Sequence, residues 1–507
     1  MYCSAAIGWG AVATLTIFAS GNAASAATQC DRLLALLNTR IADATCFESA
    51  DLTTNNPATT PANNSLAGLP AGAFTPQTDR GVISPPAGFR TPITKAVPGI
   101  QLQARMAKDP LGEARILIRL PDDWNGKLVV AGASGTRSEF NGDFAWSDYV
   151  LQKGYAYVSQ NKGIYNLLVT SLSSLTPPEP LSCRLNPASQ VWVHFYANDP
   201  AAVFTRWNDV MLAATELGRS ALEIRYGRRP ARTYAVGTSN GGYQVRRAVE
   251  TAPDLFDGGV DWEGTFVDPV TPNILSALPP AILNYPDYVA SGYDPGSTAA
   301  KNIRGAGYPP DLTITSGAAT TSLWGLYWAQ FWEITQCQWQ KRLDLTYDTY
   351  GSGTGTYVYV DRLSASGVGA NVAAFATTGR IKRPLITVAG TMDALLPIDV
   401  HARAYARMVA TALRRDEDDR DPAFRPFEER PPEYRLYEVQ NGNHIETFAT
   451  TFPQLQFIEP HAQKAFDLLV LKVELATALP PSQCIPVGGA IVADPAQPGH
   501  CRSLFTP

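Results

Sequence analysis

A serine, an acid and a histidine lie far apart in this chain, each with neighbours that suit acyl transfer. Ser239 sits in Gly237-Thr238-Ser239-Asn240-Gly241, after the apolar run Tyr234-Ala235-Val236 and before a helix-compatible segment from Gly241 to Glu250. Glycines two residues to either side suit a strained strand-to-helix corner, since bulk there would collide with the neighbouring strand or helix. Such a corner lifts the hydroxyl above the sheet edge and turns the amide of Asn240 toward the place where an oxyanion would form. The positive end of the following helix adds to the same spot.

The acid and the base come later in the chain, in that order. Asp393 lies in Gly390-Thr391-Met392-Asp393-Ala394-Leu395-Leu396-Pro397, just past the buried run Leu385 to Ala389. His444 ends Gln440-Asn441-Gly442-Asn443-His444, just past the strand-like Tyr434 to Val439. In a serine–histidine–acid triad the imidazole takes the hydroxyl proton, and the carboxylate fixes its tautomer and steadies the imidazolium. The chain has five histidines, and the other four are His194 before the serine, His401 in the helix after Asp393, His461 at the start of the C-terminal helix and His500 in the tail. Only His444 follows a strand in the required loop. Asp399 near Asp393, and Asp261 at the end of the strand before, are alternatives for the acid. A second oxyanion donor is expected in Gly132-Ala133-Ser134-Gly135, from Ala133 or Ser134 beside Asn240.

The elements that must hold these residues read as strands alternating with helices. Ala114 to Arg119, Lys127 to Ala131 and Tyr155 to Ser159 are strand-like, and a long helix carries Val203, Trp207, Val210, Met211, Ala214, Leu217, Ala221 and Ile224 at helical intervals. The elbow strand starts at Thr233, and Phe256 to Val260 continues the series. This is the βαβ alternation of a mostly parallel sheet whose strand ends carry the site. From residue 263 to 380 the pattern lapses, which predicts an inserted cap between core segments 99–262 and 381–476. Trp324, Trp328, Trp332 and Trp339 recur there at helical spacing. Two roles fit them: lining an aromatic cleft for substrate, with Trp324, Trp328 and Trp332 as its wall, or holding the cap to the core. The charged, Pro-containing stretch Arg414 to Arg430 reads as a solvated loop.

At 507 residues and 45% hydrophobic the chain can bury a large core, and its net charge of −5 offers no basic stripe for nucleic acid. Residues 1–26 resemble an export signal: Ile7 to Phe18 is mostly apolar and Ala24-Ser25-Ala26 offers a cleavage site, although no Lys or Arg precedes the run. A secreted or periplasmic protein is therefore expected, with no later membrane span. Beyond Cys3, the six cysteines Cys30, Cys46, Cys183, Cys337, Cys484 and Cys501 suit disulfides; short loops suggest Cys30 with Cys46 and Cys484 with Cys501, leaving Cys183 with Cys337. Gln29 to about Asp51 reads as a short helix closed by the first pair, within an N-terminal segment and linker over 27–98. The tail, 477–507, is expected to be pinned by the last pair. No C-x-x-C spacing or histidine cluster suggests a metal, and no cofactor is required.

The order Ser239, Asp393, His444 with a cap between the first two resembles the α/β-hydrolase superfamily, over about Ile100 to Val470. More narrowly, L-P-D-D-W-N-G-K-L from Leu120, K-G-Y-A-Y-V-S from Lys153 and the cysteine-closed N-terminus are similar to the tannase and feruloyl esterase family. That family joins a cysteine beside its serine to one beside its histidine; here Thr238 and Ile445 stand at those places. Its cap calcium site has no counterpart, since there is no D-x-D-x-D-G loop. The resemblance implies a serine esterase acting on aromatic, hydroxycinnamoyl or polyester-oligomer esters. A peptidase or amidase of the same fold and a non-catalytic binding protein are the alternatives.

Overall fold

Ten strands are hydrogen-bonded into one sheet in the computed structural model of the chain, which describes residues 28–59, 90–135, 138–164, 167–169, 192–194, 204–270, 273–344, 357–363, 367–418 and 432–506. The strands are β1 (Ile41–Ser49), β2 (Gly99–Met106), β3 (Arg115–Pro121), β4 (Lys127–Gly132), β5 (Ala156–Gln160), β6 (Arg232–Thr238), β7 (Gly258–Trp262), β8 (Leu385–Gly390), β9 (Tyr434–Val439) and β10 (Gln483–Ile485). Their spatial order is β1-β2-β3-β5-β4-β6-β7-β8-β9-β10. β1 to β3, and β3 with β5, pair antiparallel; every pair from β5 onward is parallel. The parallel strands read as apolar runs because helices cover both faces. Helices α1 (Gln29–Leu37), α2 (Thr205–Tyr226) and α3 (Asn240–Thr251) pack one face together with Tyr405 and Val409 of α5 (Ala402–Asp418). Trp146 and α6 (Glu459–Leu475) pack the other.

The two ends of the chain differ from the sequence expectation. α1 stops at Leu37, and Ile41–Ser49 is a strand on the sheet edge, with Cys30 bonded to Cys46 across the two. Its alternating exposure is that of a half-buried strand, which a count of helix formers does not detect. At the other end β10 extends the sheet beside β9, and Cys484 is bonded to Cys501. The charged stretch from Arg414 begins as the last turn of α5, through Asp418. The export-type segment, most of the linker, Cys183, the side chain of Cys337 and residues 419–431 lie outside the described residues.

Between β7 and β8 the chain leaves the sheet. Helix α4 (Ile274–Ala290) and the helical segments Leu323–Tyr327 and Glu333–Leu343, joined by a π turn at Trp328–Trp332, share an apolar core with Tyr308, Met392 and Leu395. That core reaches the sheet's carboxyl edge, where Met392 and Leu395 flank Asp393.

The first turn of α3 rests directly on the ends of β4 and β6. A Cβ on Gly241 would stand 2.5 Å from the carbonyl oxygen of Gly132, and one on Gly132 would stand 2.5 Å from that of Gly241. Backbone meets backbone there, so neither neighbour can yield. Gly241→Ala is expected to lower stability in denaturant unfolding by about 1–3 kcal/mol. Gly305→Ala, on a helix with nothing within 4 Å of the added methyl, is expected to be neutral or slightly stabilising in the same measurement.

Candidate active site

Ser239 joins β6 to α3 with φ 58° and ψ −123°, a conformation costly for a residue with a side chain. The corner is held at both ends: the Ser239 amide donates to the Trp262 carbonyl at 2.9 Å, and its carbonyl accepts from Tyr243 N at 3.1 Å. Ser239 and His444 line one cavity, together with Asn240, Thr265, Phe331, Thr335, Trp339, Leu395 and Leu396.

The acid and the base are brought together. Oδ2 of Asp393 lies 2.8 Å from Nδ1 of His444, and both side chains are buried. Oδ1 of Asp393 accepts from the amides of Leu395 at 2.8 Å and Leu396 at 2.7 Å, so both carboxylate oxygens have partners. The two loops touch through glycine. Met392 N donates to the Gly442 carbonyl at 2.8 Å, and a Cβ on Gly442 would stand 2.9 Å from Cα of Gly390. Asn441 N donates to Oγ1 of Thr391 at 2.9 Å, closing the seam. Side chains 51 residues apart are thereby fixed by backbone contact rather than by each other.

Neither alternative acid is placed for the imidazole. Asp261 is fully engaged: Arg246 Nε donates to it at 2.6 Å, Thr387 Oγ1 at 2.8 Å and Gly264 N at 2.7 Å. That buried pair ties α3 to the ends of β7 and β8. Asp399 pairs with Arg403 one helical turn on and is half exposed. The second carboxyl at His444 is one that sequence reasoning missed, Glu263. It is the residue after β7, and its Oε2 lies 3.3 Å from Nδ1 of His444. Burial, and then the charge of Asp393, hold the Glu263 carboxyl well above the usual carboxylate range, so it keeps its proton where Asp393 is ionised. His401 is buried nearby and accepts from Phe266 N at 3.0 Å; burial pushes its pKa down to about 3, leaving it neutral.

The loop after β4 sits where a second oxyanion donor is needed, but its first two amides are taken. Ala133 N donates to Oε1 of Gln244 at 2.9 Å and Ser134 N to Oδ1 of Asn141 at 3.1 Å. Ser134 and Gly135 line the cavity, and Asn240 opens α3 beside Ser239. The carbonyls of the same loop converge on Lys162, a buried ammonium that donates to Ala133 O at 3.2 Å, to Gly135 O at 2.5 Å and to Ser134 O. Lys162 itself has φ 62° after β5 and lies 5.1 Å from the ring centre of Trp207. No local pattern marks it, since a lysine in a Lys-Gly turn reads as solvated.

The tryptophans expected to wall the cleft hold the cap instead. Trp324 is buried with Nε1 donating to Pro309 O at 3.1 Å, and Trp328 packs on Tyr285 with their ring centres 5.2 Å apart. Trp332 donates from Nε1 to the carbonyl of Ala394 at 2.6 Å, fastening the helix to the Asp393 loop. Phe331 of the π turn at Trp328–Trp332, and Thr335 and Trp339 of the helical segment after it, line the cavity. Tyr327 completes the fastening: its hydroxyl donates to Oδ1 of Asn443 at 2.8 Å and accepts from Ile445 N at 3.3 Å, on either side of His444.

Lys162→Met keeps the length of the side chain and removes the charge that gathers the loop carbonyls. It is expected to lower kcat about tenfold to a hundredfold with a much smaller change in KM, a loss smaller than the roughly hundredfold to thousandfold seen when an oxyanion donor is removed outright. Steady-state kinetics together with a thermal melt check this, the melt separating loop displacement from unfolding.

Residues 342–498 match the family model of the 3HB-oligomer hydrolases, a stretch that includes Asp393 and His444. Over 137 residues the chain is 31% identical to the D-(-)-3-hydroxybutyrate oligomer hydrolase of Burkholderia thailandensis, a match covering 26% of this chain and only 18% of that protein's length. Among solved structures, feruloyl esterase B from Aspergillus oryzae aligns with a TM-score of 0.50 at 15% identity, over 89% of this chain and 90% of that one. Tannin acyl hydrolase from Aspergillus niger aligns with a TM-score of 0.43 at 12% identity, over 82% of this chain and 89% of that one. With its mostly parallel sheet, elbow corner and inserted helices, the chain has the α/β-hydrolase fold and is distantly similar to feruloyl esterase.

Proposed function

We propose that the chain is a carboxylic-ester hydrolase that works through an acyl-enzyme on Ser239, with short hydroxyalkanoate oligomers as its substrate class. The observation that carries this is the buried 2.8 Å contact between Asp393 and Nδ1 of His444, whose ring lines the same cavity as the strained Ser239. The substrate class is drawn from the 3HB-oligomer hydrolase match over residues 342–498.

His444 takes the Ser239 proton on Nε2 as Oγ attacks the ester carbonyl carbon, and Asp393 accepts from Nδ1–H throughout. The Asn240 amide stabilises the tetrahedral oxyanion, with Gly135 of the loop after β4 as the second donor because the amides of Ala133 and Ser134 are taken, each donor contributing about 3 kcal/mol. The imidazolium then protonates the leaving alkoxide. Water, deprotonated by the same ring, attacks the acyl carbon and releases the acid. For a hydroxyacid oligomer both products are hydroxyacids, one shorter by the acyl unit removed.

Export is part of the same proposal. It rests on the leader-like segment at residues 1–26 and on two disulfides that need an oxidising compartment. Among the described residues no helix is long and apolar enough to cross a membrane.

The test is a panel of 3-hydroxybutyrate dimers and trimers, a short-chain nitrophenyl ester, a hydroxycinnamate ester and a peptide anilide. The hydroxyacid oligomers and the short ester are expected to be cleaved, and Ser239→Ala to lower kcat by roughly 10⁵-fold or more. Cleavage of the anilide but of no ester would contradict the proposal, as would an active Ser239→Ala chain.

A further inference from the structure

We propose that Glu263 is a second carboxyl group for His444, a positioning residue that confines the imidazole beside Asp393 and can take over its Nδ1–H when Asp393 is removed. The inference rests on the proposed triad of Ser239, His444 and Asp393.

Four observations support it. Glu263 leaves β7 with φ 51°, a left-handed conformation that a side chain disfavours, and this turn brings its carboxyl to the carboxyl edge of the sheet. Its backbone is tied to β8 by a hydrogen bond that its amide donates to the Val388 carbonyl at 2.8 Å. Its Oε1 accepts from Gly390 N at 3.0 Å, so the side chain is anchored on the strand end that leads to Asp393. Its Oε2 lies 3.3 Å from Nδ1 of His444, and the side chain of Trp262 also acts on this carboxyl. A carboxyl needed only for packing would not be held with one oxygen against the catalytic ring and the other on the neighbouring acid's strand.

Glu263, Asp393 and His444 present one ligand atom each within 4.8 Å of one another. Glu446 and the hydroxyl of Tyr327 also face Glu263, from the loop after β9 and from the cap. Tyr308 and His401 face Asp393: burial and then the Asp393 charge keep the tyrosine protonated, and burial keeps the imidazole neutral although Asp393 favours its protonation. With Asp393 ionised, Glu263 stays protonated and its part is to restrict the ring. With Asp393 gone, one repulsive charge is gone too. Glu263 then releases its proton to solvent at a lower pH than in the intact chain, and its carboxylate accepts from Nδ1–H while Nε2 takes the Ser239 proton. Burial still holds its titration above that of an exposed glutamate, so activity carried by Glu263 rises with pH.

The experiment compares the wild-type chain with Asp393→Ala, Glu263→Gln and the double variant. Hydrolysis of a short-chain nitrophenyl ester and the rate of labelling by a fluorophosphonate are both measured from acid to alkaline pH. Glu263→Gln alone is expected to cost less than about tenfold. Added to Asp393→Ala it is expected to cost at least about tenfold more than it does alone, and to remove the rise of residual activity with pH. Equal costs in both backgrounds, with the same pH profile for Asp393→Ala and the double variant, would overturn the proposal. If Asp393→Ala does not fold by circular dichroism, Asp393→Asn replaces it, since a carboxamide oxygen keeps the contacts to Leu395 and Leu396. A wild-type chain that cleaves no ester but is labelled would refute the ester proposal alone, and the labelling rates would still decide the role of Glu263.

Discussion

Sharp reversals of the backbone at the carboxyl edge of the sheet are the constraint on which the site depends. Seven non-glycine residues have positive φ among the described residues, and four of them leave the ends of strands at this edge: Lys162 after β5, Ser239 after β6, Glu263 after β7 and Asn441 after β9. Each such residue costs on the order of 1–3 kcal/mol, and it persists only where the surroundings fix it. Here they do. Hydrogen bonds from the amides of Ser239 and Glu263 to neighbouring strands, and the contact of Gly132 with Gly241, hold the chain in these conformations. In return, Ser239 and His444 line one cavity, and the carboxyls of Asp393 and Glu263 lie 2.8 and 3.3 Å from the imidazole. Their positions owe little to side-chain flexibility.

The inserted region belongs to the same mechanical unit. Trp332 bonds to the loop that carries Asp393, and Tyr327 bonds on both sides of His444. Movement of that helix would therefore disturb the acid and the base together. Several buried polar groups around the site are committed to protein partners, as burial demands. Arg246 meets Asp261, Lys162 meets the carbonyls of residues 133–135, and Gln244 meets Ala133. Each of these contacts orients a backbone segment rather than a substrate, and together they set where an oxyanion could be met.

Much of this is legible in the sequence because it lies in local pattern. Alternating apolar strands and a long helix predict a mostly parallel sheet, and the glycines around Ser239 predict the corner. The scarcity of histidine singles out His444. The features that the sequence conceals depend on register and depth. Strand β1 reads as the end of a helix, because an edge strand with alternating exposure carries a weak apolar signal. The tryptophan stripe suits a constant helical period, but a π turn interrupts that period at Trp328–Trp332, and Phe331, Thr335 and Trp339 line the cavity. Glu263 and Lys162 are hidden for a shared reason. A charged residue next to a turn is usually solvated, and only the fold shows that these two are buried.

A structure of the chain after reaction with a phosphonate ester tests the central claim most directly. The account predicts phosphorus bonded to Oγ of Ser239, a phosphonyl oxygen on the amide of Asn240, and Nε2 of His444 within hydrogen-bond reach of the adduct. Phosphorus on another nucleophile, or the ring of His444 turned away with a different base in its place, would contradict it.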